Sequence, residues 1–110
     1  MTDTAKKMYQ GQPAGSDTLL YTPPATGATV LAIHVANRTA IPATITIGLN
    51  ASGTLAAANH FLSALSVPAN GTYDWTGMAQ LDASATTGTI RGLQGTASAL
   101  TVIISGNEIT

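Results

Sequence analysis

The stretch Thr29–Leu49, TVLAIHVANRTAIPATITIGL, decides the fold. Its first half, Thr29–Asn37, is almost continuously apolar and rich in β-branched residues. Strand periodicity puts Leu31, Ile33 and Val35 on one face and Ala32, His34 and Ala36 on the other. The second half, Ala43–Leu49, alternates cleanly, with Ile45, Ile47 and Leu49 inward and Thr44, Thr46 and Gly48 outward. Asn37-Arg38-Thr39 has turn chemistry. The two halves are therefore expected to form an antiparallel hairpin with a loop of several residues.

The same pattern extends in both directions. Upstream, Thr18–Tyr21 is a strand closed by Thr22-Pro23-Pro24, where the prolines force extended backbone. Downstream, Pro68-Ala69-Asn70-Gly71 is a turn signal. Thr72–Thr76 alternates after it, Gly77 breaks the run, and Met78–Leu81 is a short strand. Thr89–Leu93 and Ala99–Ser105 follow, the latter with Leu100, Val102 and Ile104 on one face. Only Leu55–Leu65 is ambiguous. Leu55, Ala58, Phe61, Leu62 and Leu65 fit helical spacing, but the neighbouring segments are all strand-like, so a short helix and a strand both stay open. About eight short strands at spacings near ten residues, with no long amphipathic helix, predict an all-β chain. The expected architecture is an antiparallel β-sandwich or jelly-roll-like barrel over residues 17–110, as one domain. Residues 1–16 hold Asp3, Lys6, Lys7, Gln10 and Gln12 and few large apolar side chains. They are expected to form an extended N-terminal arm, in which Lys7-Met8-Tyr9-Gln10 could pair as a short edge strand.

Composition narrows the function. The chain has 110 residues, 11.1 kDa, 19 Ala, 18 Thr and no Cys. Disulfides, thiolate metal sites and cysteine nucleophiles are thereby excluded. Charged residues are 8% of the chain, against about 25% in an ordinary soluble domain. The net charge is −1, and Lys6-Lys7 is the one basic pair. That is too little positive charge for nucleic acid or an anionic membrane surface. No apolar run approaches the ~20 residues of a membrane-spanning helix. An exterior of Thr, Ser, Asn, Gln, Gly and Ala repels its own copies weakly and costs little desolvation when covered, as suits a subunit of an assembly.

Residues able to carry chemistry are sparse. His34 and His60 are the two histidines. A metal site would have to recruit Asp17, Asp74, Asp82 or Glu108, and none stands at a recognised ligand spacing. No nucleophile elbow surrounds any of the seven serines, and the five acids are scattered singly. Gly88–Gly95 is glycine-rich but lacks the Gly-Lys-Ser/Thr of a phosphate loop. Gly92 within it reads as a bulge or a close backbone approach. Asn37-Arg38-Thr39, Asn50-Ala51-Ser52 and Asn70-Gly71-Thr72 match a glycosylation acceptor pattern, yet all three fall in turns that favour Asn anyway. No catalytic residue, cofactor or metal ligand is assigned. The candidate interface residues are Lys6, Lys7, Tyr9, Arg38, Tyr73, Trp75 and Arg91: isolated charges in an uncharged chain, and aromatic side chains of the kind that anchor cores and subunit contacts. A sugar-binding surface built from Tyr73, Asp74, Trp75 and the Asn-bearing turns is the competing reading.

Three stretches carry a resemblance: SDTLLYTPPATGATVLAIHVANRTAIPATITIGLN (16–50), ANHFLSALSVPANGTYDWTGMAQL (58–81) and GTIRGLQGTASALTVIISGNEI (88–109). Over about residues 9–110 this succession of strands and turns resembles small virion structural proteins of tailed bacteriophages. The resemblance implies a β-sandwich subunit without enzymatic activity, most closely a capsid decoration (cement) protein. It further implies the major capsid protein and other copies of the chain, as a homotrimer, for partners. Its expected place is the capsid exterior, after assembly in the host cytoplasm. A tail or head–tail component is the alternative. On this reading the N-terminal arm, residues 1–16, could add a strand to a capsid edge or lie across a neighbour.

Overall fold

The computed structural model describes residues 3–84, 86–96 and 98–109. Among them the chain runs through eight strands: β1 (Asp3–Gly11), β2 (Thr18–Tyr21), β3 (Ala28–Asn37), β4 (Ala43–Leu49), β5 (His60–Val67), β6 (Thr72–Leu81), β7 (Ile90–Gln94) and β8 (Leu100–Ile109). They form two four-stranded antiparallel sheets, β1-β8-β3-β6 and β2-β7-β4-β5, here called A and B. Strands β4 and β5 pair across the middle of the chain, β3 with β6 and β2 with β7 outside them, and β1 with β8 at the ends. The chain is thus one long antiparallel hairpin, rolled so that β8 also pairs with β3 and β7 with β4. This is the connectivity of a jelly roll, a β-sandwich of two interlocked Greek keys.

The alternation of large apolar and small polar residues builds the interior. Ile33, Val35, Leu100, Val102 and Ile104 from sheet A face Ile45, Ile47, Leu62, Val67 and Ile90 from sheet B, all buried. Gln94 is fully buried among them. Its Oε1 accepts from the Leu100 amide at 2.7 Å, and its Nε2 donates to the carbonyls of Pro13 and Leu100. One side chain therefore satisfies itself by tying β7 to β8 and to the β1–β2 loop, as burial of a polar group demands.

Several expectations change in three dimensions. Strands β3 and β4 do not form a hairpin; they lie in different sheets, and residues 38–42 carry the chain across the sandwich. The crossing is fixed by Asn37. Its Nδ2 donates to the Ile41 and Val67 carbonyls at 2.9 and 3.1 Å, and its Oδ1 accepts from the Thr39 amide and hydroxyl. Leu31 is not a core residue. The β3 register slips between Val30 and Ala32, so Val30 is buried and Leu31 is left half-buried. Thr46 is buried rather than outward, with its hydroxyl accepting from the Ala64 amide at 3.0 Å. Gly77 does not break a strand; β6 runs from Thr72 to Leu81, and the same slip against β3 places residues 77 and 78 in a bulge. The ambiguous stretch divides into a 3₁₀ turn at Ala57–Asn59 and strand β5.

The largest difference concerns the N-terminus. Residues 3–11, the greater part of the expected arm, form strand β1 along β8, with a bulge at Met8. Met8 enters the core and Tyr9 packs against it. Rather than reaching for a neighbour's sheet, the segment completes the edge of its own.

Candidate functional site

The seven candidate residues do not converge on one pocket. Lys6, Lys7 and Tyr9 lie on β1, at one edge of sheet A, while Tyr73 and Trp75 lie on β6, at the opposite edge. Arg38 is exposed in the β3–β4 loop. Arg91 is inside sheet B on β7. Lys7 donates to Gln10 Oε1 at 2.9 Å, which holds both side chains on the outer face of β1. Burial raises the pKa of the Tyr9 phenol.

Tyr73 and Trp75 are half-buried against the core side of the sheet, and Asp74 between them points to the outer face. Strand alternation therefore separates the aromatic rings from the carboxylate, and they make no common sugar platform. Trp75 instead meets Phe61 of β5 edge-to-face, with ring centroids 4.8 Å apart. A side chain at residue 77 would come within 2.9 Å of the Trp75 ring, which explains the glycine there. Asp74 shares a hydrogen bond with His34 Nδ1, its cross-strand partner on β3.

The outer face of sheet A is assembled from cross-strand rows. Lys7, Ser105, Ala32 and Thr76 form one row, and Gln10, Ile103, His34 and Asp74 the next. Thr101, Ala36 and Thr72 form a third. Its centre holds Ala32, Ala36, Thr101, Ser105, Ile103 and His34, with Lys7 at one margin and Asp74, bonded to His34, at the other. Beside it, the β3 bulge opens a shallow depression of about 410 Å³ lined by Ala5, Lys6, Lys7, Leu31, Ser105, Gly106 and Asn107. Gly106 is required there, since a Cβ would lie 2.0 Å from the Thr29 carbonyl oxygen.

The outer face of sheet B is different. The β4–β5 connection folds back over it, and Leu55 sits where a Cβ on Gly48 would be, 2.4 Å away. Asp17 fastens this cover: Oδ1 accepts from Arg91 Nε at 2.8 Å and Oδ2 from the Leu55 amide at 2.9 Å. The Arg91 hydrogen bond, with help from that amide, lowers the Asp17 pKa. Arg91 is therefore an internal clasp in the folded chain. At the same end of the sandwich Asn50, in left-handed backbone at φ 56°, donates to the Gln80 carbonyl and accepts from the Asp82 amide. Tyr21 donates its hydroxyl to Glu108, and burial together with that carboxylate holds the phenol protonated well beyond its usual range.

Sequence reasoning missed the exposed apolar residues of the edges. Met78 is 81% exposed at the β6 bulge, Leu19 48% exposed on β2, and Phe61 36% exposed on β5. The bulge-marking Gly77 was the available signal for Met78; nothing in the spacing marks Leu19. Among the described residues no three His, Asp or Glu side chains gather as a metal set, and no helix is long and apolar enough to cross a membrane. No protein-family model matches the sequence, and no curated protein is similar to it.

Proposed function

We propose that this chain is a non-enzymatic structural subunit of a tailed-phage virion. Its role is that of a capsid decoration (cement) protein, bound as a homotrimer to the outside of the head lattice. The observation that carries this reading is the outer face of sheet A: rows of Thr, Ser, Ala, Ile and His34 with Lys7 and Asp74 confined to the margins, on a jelly roll whose other broad face is covered in part, around Gly48, by its own chain. Such a face offers hydroxyls and small apolar groups to a partner without stripping water from ions. A ligand that binds only the assembled shell stabilises it by mass action, and an oligomer that engages several capsid subunits at once multiplies weak contacts into avidity. The likeness of the strand-and-turn succession to small phage structural proteins supports the same class.

The test is copy number and occupancy. The purified protein is mixed with heads lacking decoration, and particles are separated by sedimentation. Saturable binding at hundreds of copies per particle, with heads then resisting heat better, is the expected result. Failure to bind heads, or a dozen copies or fewer in native particles, overturns the decoration assignment; the low copy number would point to a tail or head–tail position.

A further inference from the structure

Three loops meet at one end of the sandwich: β3–β4 (residues 38–42), β5–β6 (68–71) and β7–β8 (95–99). The Asn37 amide donates to the Gly71 carbonyl, the Asn70 amide to the Thr39 carbonyl and the Arg38 amide to the Ala99 carbonyl. The sequences of these loops, RTAIP, PANG and GTASA, hold one charge, Arg38, and one large aliphatic side chain, Ile41. Both are exposed, Ile41 to 59%. Arg38 has no acidic partner among the described residues. A single exposed apolar residue is ordinary on a protein surface. What sets Ile41 apart is the frame that displays it beside a free cation. Asn37, 3% exposed, donates to the Ile41 and Val67 carbonyls and so anchors the loop in the core. Pro42 keeps the backbone of Ile41 extended, and β-branching leaves that side chain few rotamers. Met78 is more exposed, but its unbranched side chain stands in a strand bulge and holds no such fixed direction.

We infer that the β3–β4 loop is a preformed docking tip: Ile41 fills an apolar pocket on a shell subunit, and Arg38 pairs with a carboxylate at the rim of that pocket. A loop ordered before binding loses little conformational freedom when it docks. Arginine is among the residues that dominate interface energetics, and its planar fork meets a carboxylate through two parallel N–H···O bonds. An acidic rim beside an apolar pocket is therefore the surface that complements this tip in both charge and polarity. The tip also borders the face proposed for docking. Ala36 and Thr72, of the third row of sheet A, directly adjoin Asn37 and Gly71 in the chain. One partner surface can thus engage the face and the tip together. The inference rests on the decoration reading and names the chemistry of the shell surface that this reading requires.

The absence of cysteine makes the test direct. Exposed Ala40, beside Ile41, is changed in Ala40→Cys and labelled with a benzophenone maleimide. The labelled chain is bound to heads lacking decoration and irradiated, and the cross-linked peptides are identified by mass spectrometry. The expected product joins the chain to the major capsid protein at a segment with an Asp or Glu within a few residues. In parallel, heads are titrated with wild type, Ile41→Ala and Arg38→Gln. Each variant is expected to bind about tenfold more weakly, with its urea denaturation unchanged. Arg38→Gln should also flatten the salt dependence of binding, because an ion pair is screened by salt. Wild-type binding by both variants, a cross-link to another copy of the chain, or none on occupied particles overturns the tip and leaves the decoration reading standing. A salt dependence that Arg38→Gln leaves unchanged, or a cross-linked segment without acids, overturns the carboxylate pairing. A wild-type chain that does not bind heads overturns both readings.

Discussion

The two broad faces of this sandwich are built on the same alternation and end in opposite states. Sheet B wears its own cover: Leu55 rests on Gly48, and Asp17 holds the covering loop through Arg91 and the Leu55 amide. Among the described residues sheet A has no such cover, and its centre displays Ala32, His34, Ala36, Thr101, Ile103 and Ser105 to the outside. A face closed by its own chain is finished. A face of mostly small residues, with its charges at the margins, is suited to being closed by something else. The difference is why we propose sheet A, rather than sheet B, for docking.

The largest expected effect comes from crowding the close β3–β8 approach in sheet A. Gly106→Ala sets a Cβ against the Thr29 carbonyl oxygen, which belongs to backbone and cannot step aside. We expect a loss of about 3 kcal/mol in urea denaturation, at the upper end of overpacking costs. The matching change in sheet B is smaller. In Gly48→Ala the new methyl meets only the end of the Leu55 side chain, which can move. A loss of about 1 kcal/mol should accompany faster proteolysis of residues 50–59, and an equal loss for the two glycines would erase the contrast between the faces.

Asp17→Asn tests the clasp. It should destabilise by no more than about 1 kcal/mol, since the pair is partly solvated, and again expose the covering loop to protease. Because the folded pKa of Asp17 lies below its ordinary 3.8, its contribution is fully present above about pH 4. It is lost as pH falls through the depressed value. The wild-type minus Asp17→Asn stability difference should therefore shrink only in that acid range; a difference constant down to pH 2 would sink the clasp. The smallest effect on folding is expected from Ala36→Glu on the open face, within about 0.5 kcal/mol of wild type. That variant should nevertheless lose binding to heads. If it binds undiminished, sheet A is not the docking face.

How far the residues could be read follows from where each signal lives. The strands β2, β3, β4, β7 and β8 were legible because period-two alternation and turn residues are local properties. So was the all-β class, from about eight such segments with no helical period. The buried partners of Asn37, Thr46 and Gln94 were not legible, because each pairs with backbone many residues away or across a bulge. Bulges themselves shifted the phase at Met8, Leu31 and Gly77, and one inserted residue moves every later side chain to the other face. Among the interface candidates, Lys7 and Trp75 stand at edges as isolated charges and aromatics often do. Arg91 was misleading, because its acidic partner Asp17 is brought to it only by the fold.

By itself the sequence determined that the chain is all-β, that it has one core, and that its exterior carries almost no charge. These follow from composition and from periodicities that span a few residues. Tertiary structure alone decided that β3 and β4 part into different sheets, that residues 3–11 are an edge strand instead of an arm, and that the β4–β5 connection folds over sheet B at Gly48. Those outcomes depend on which distant strands pair. Strand pairing is settled by hydrogen bonds and packing between segments whose sequences carry no mark of their partner.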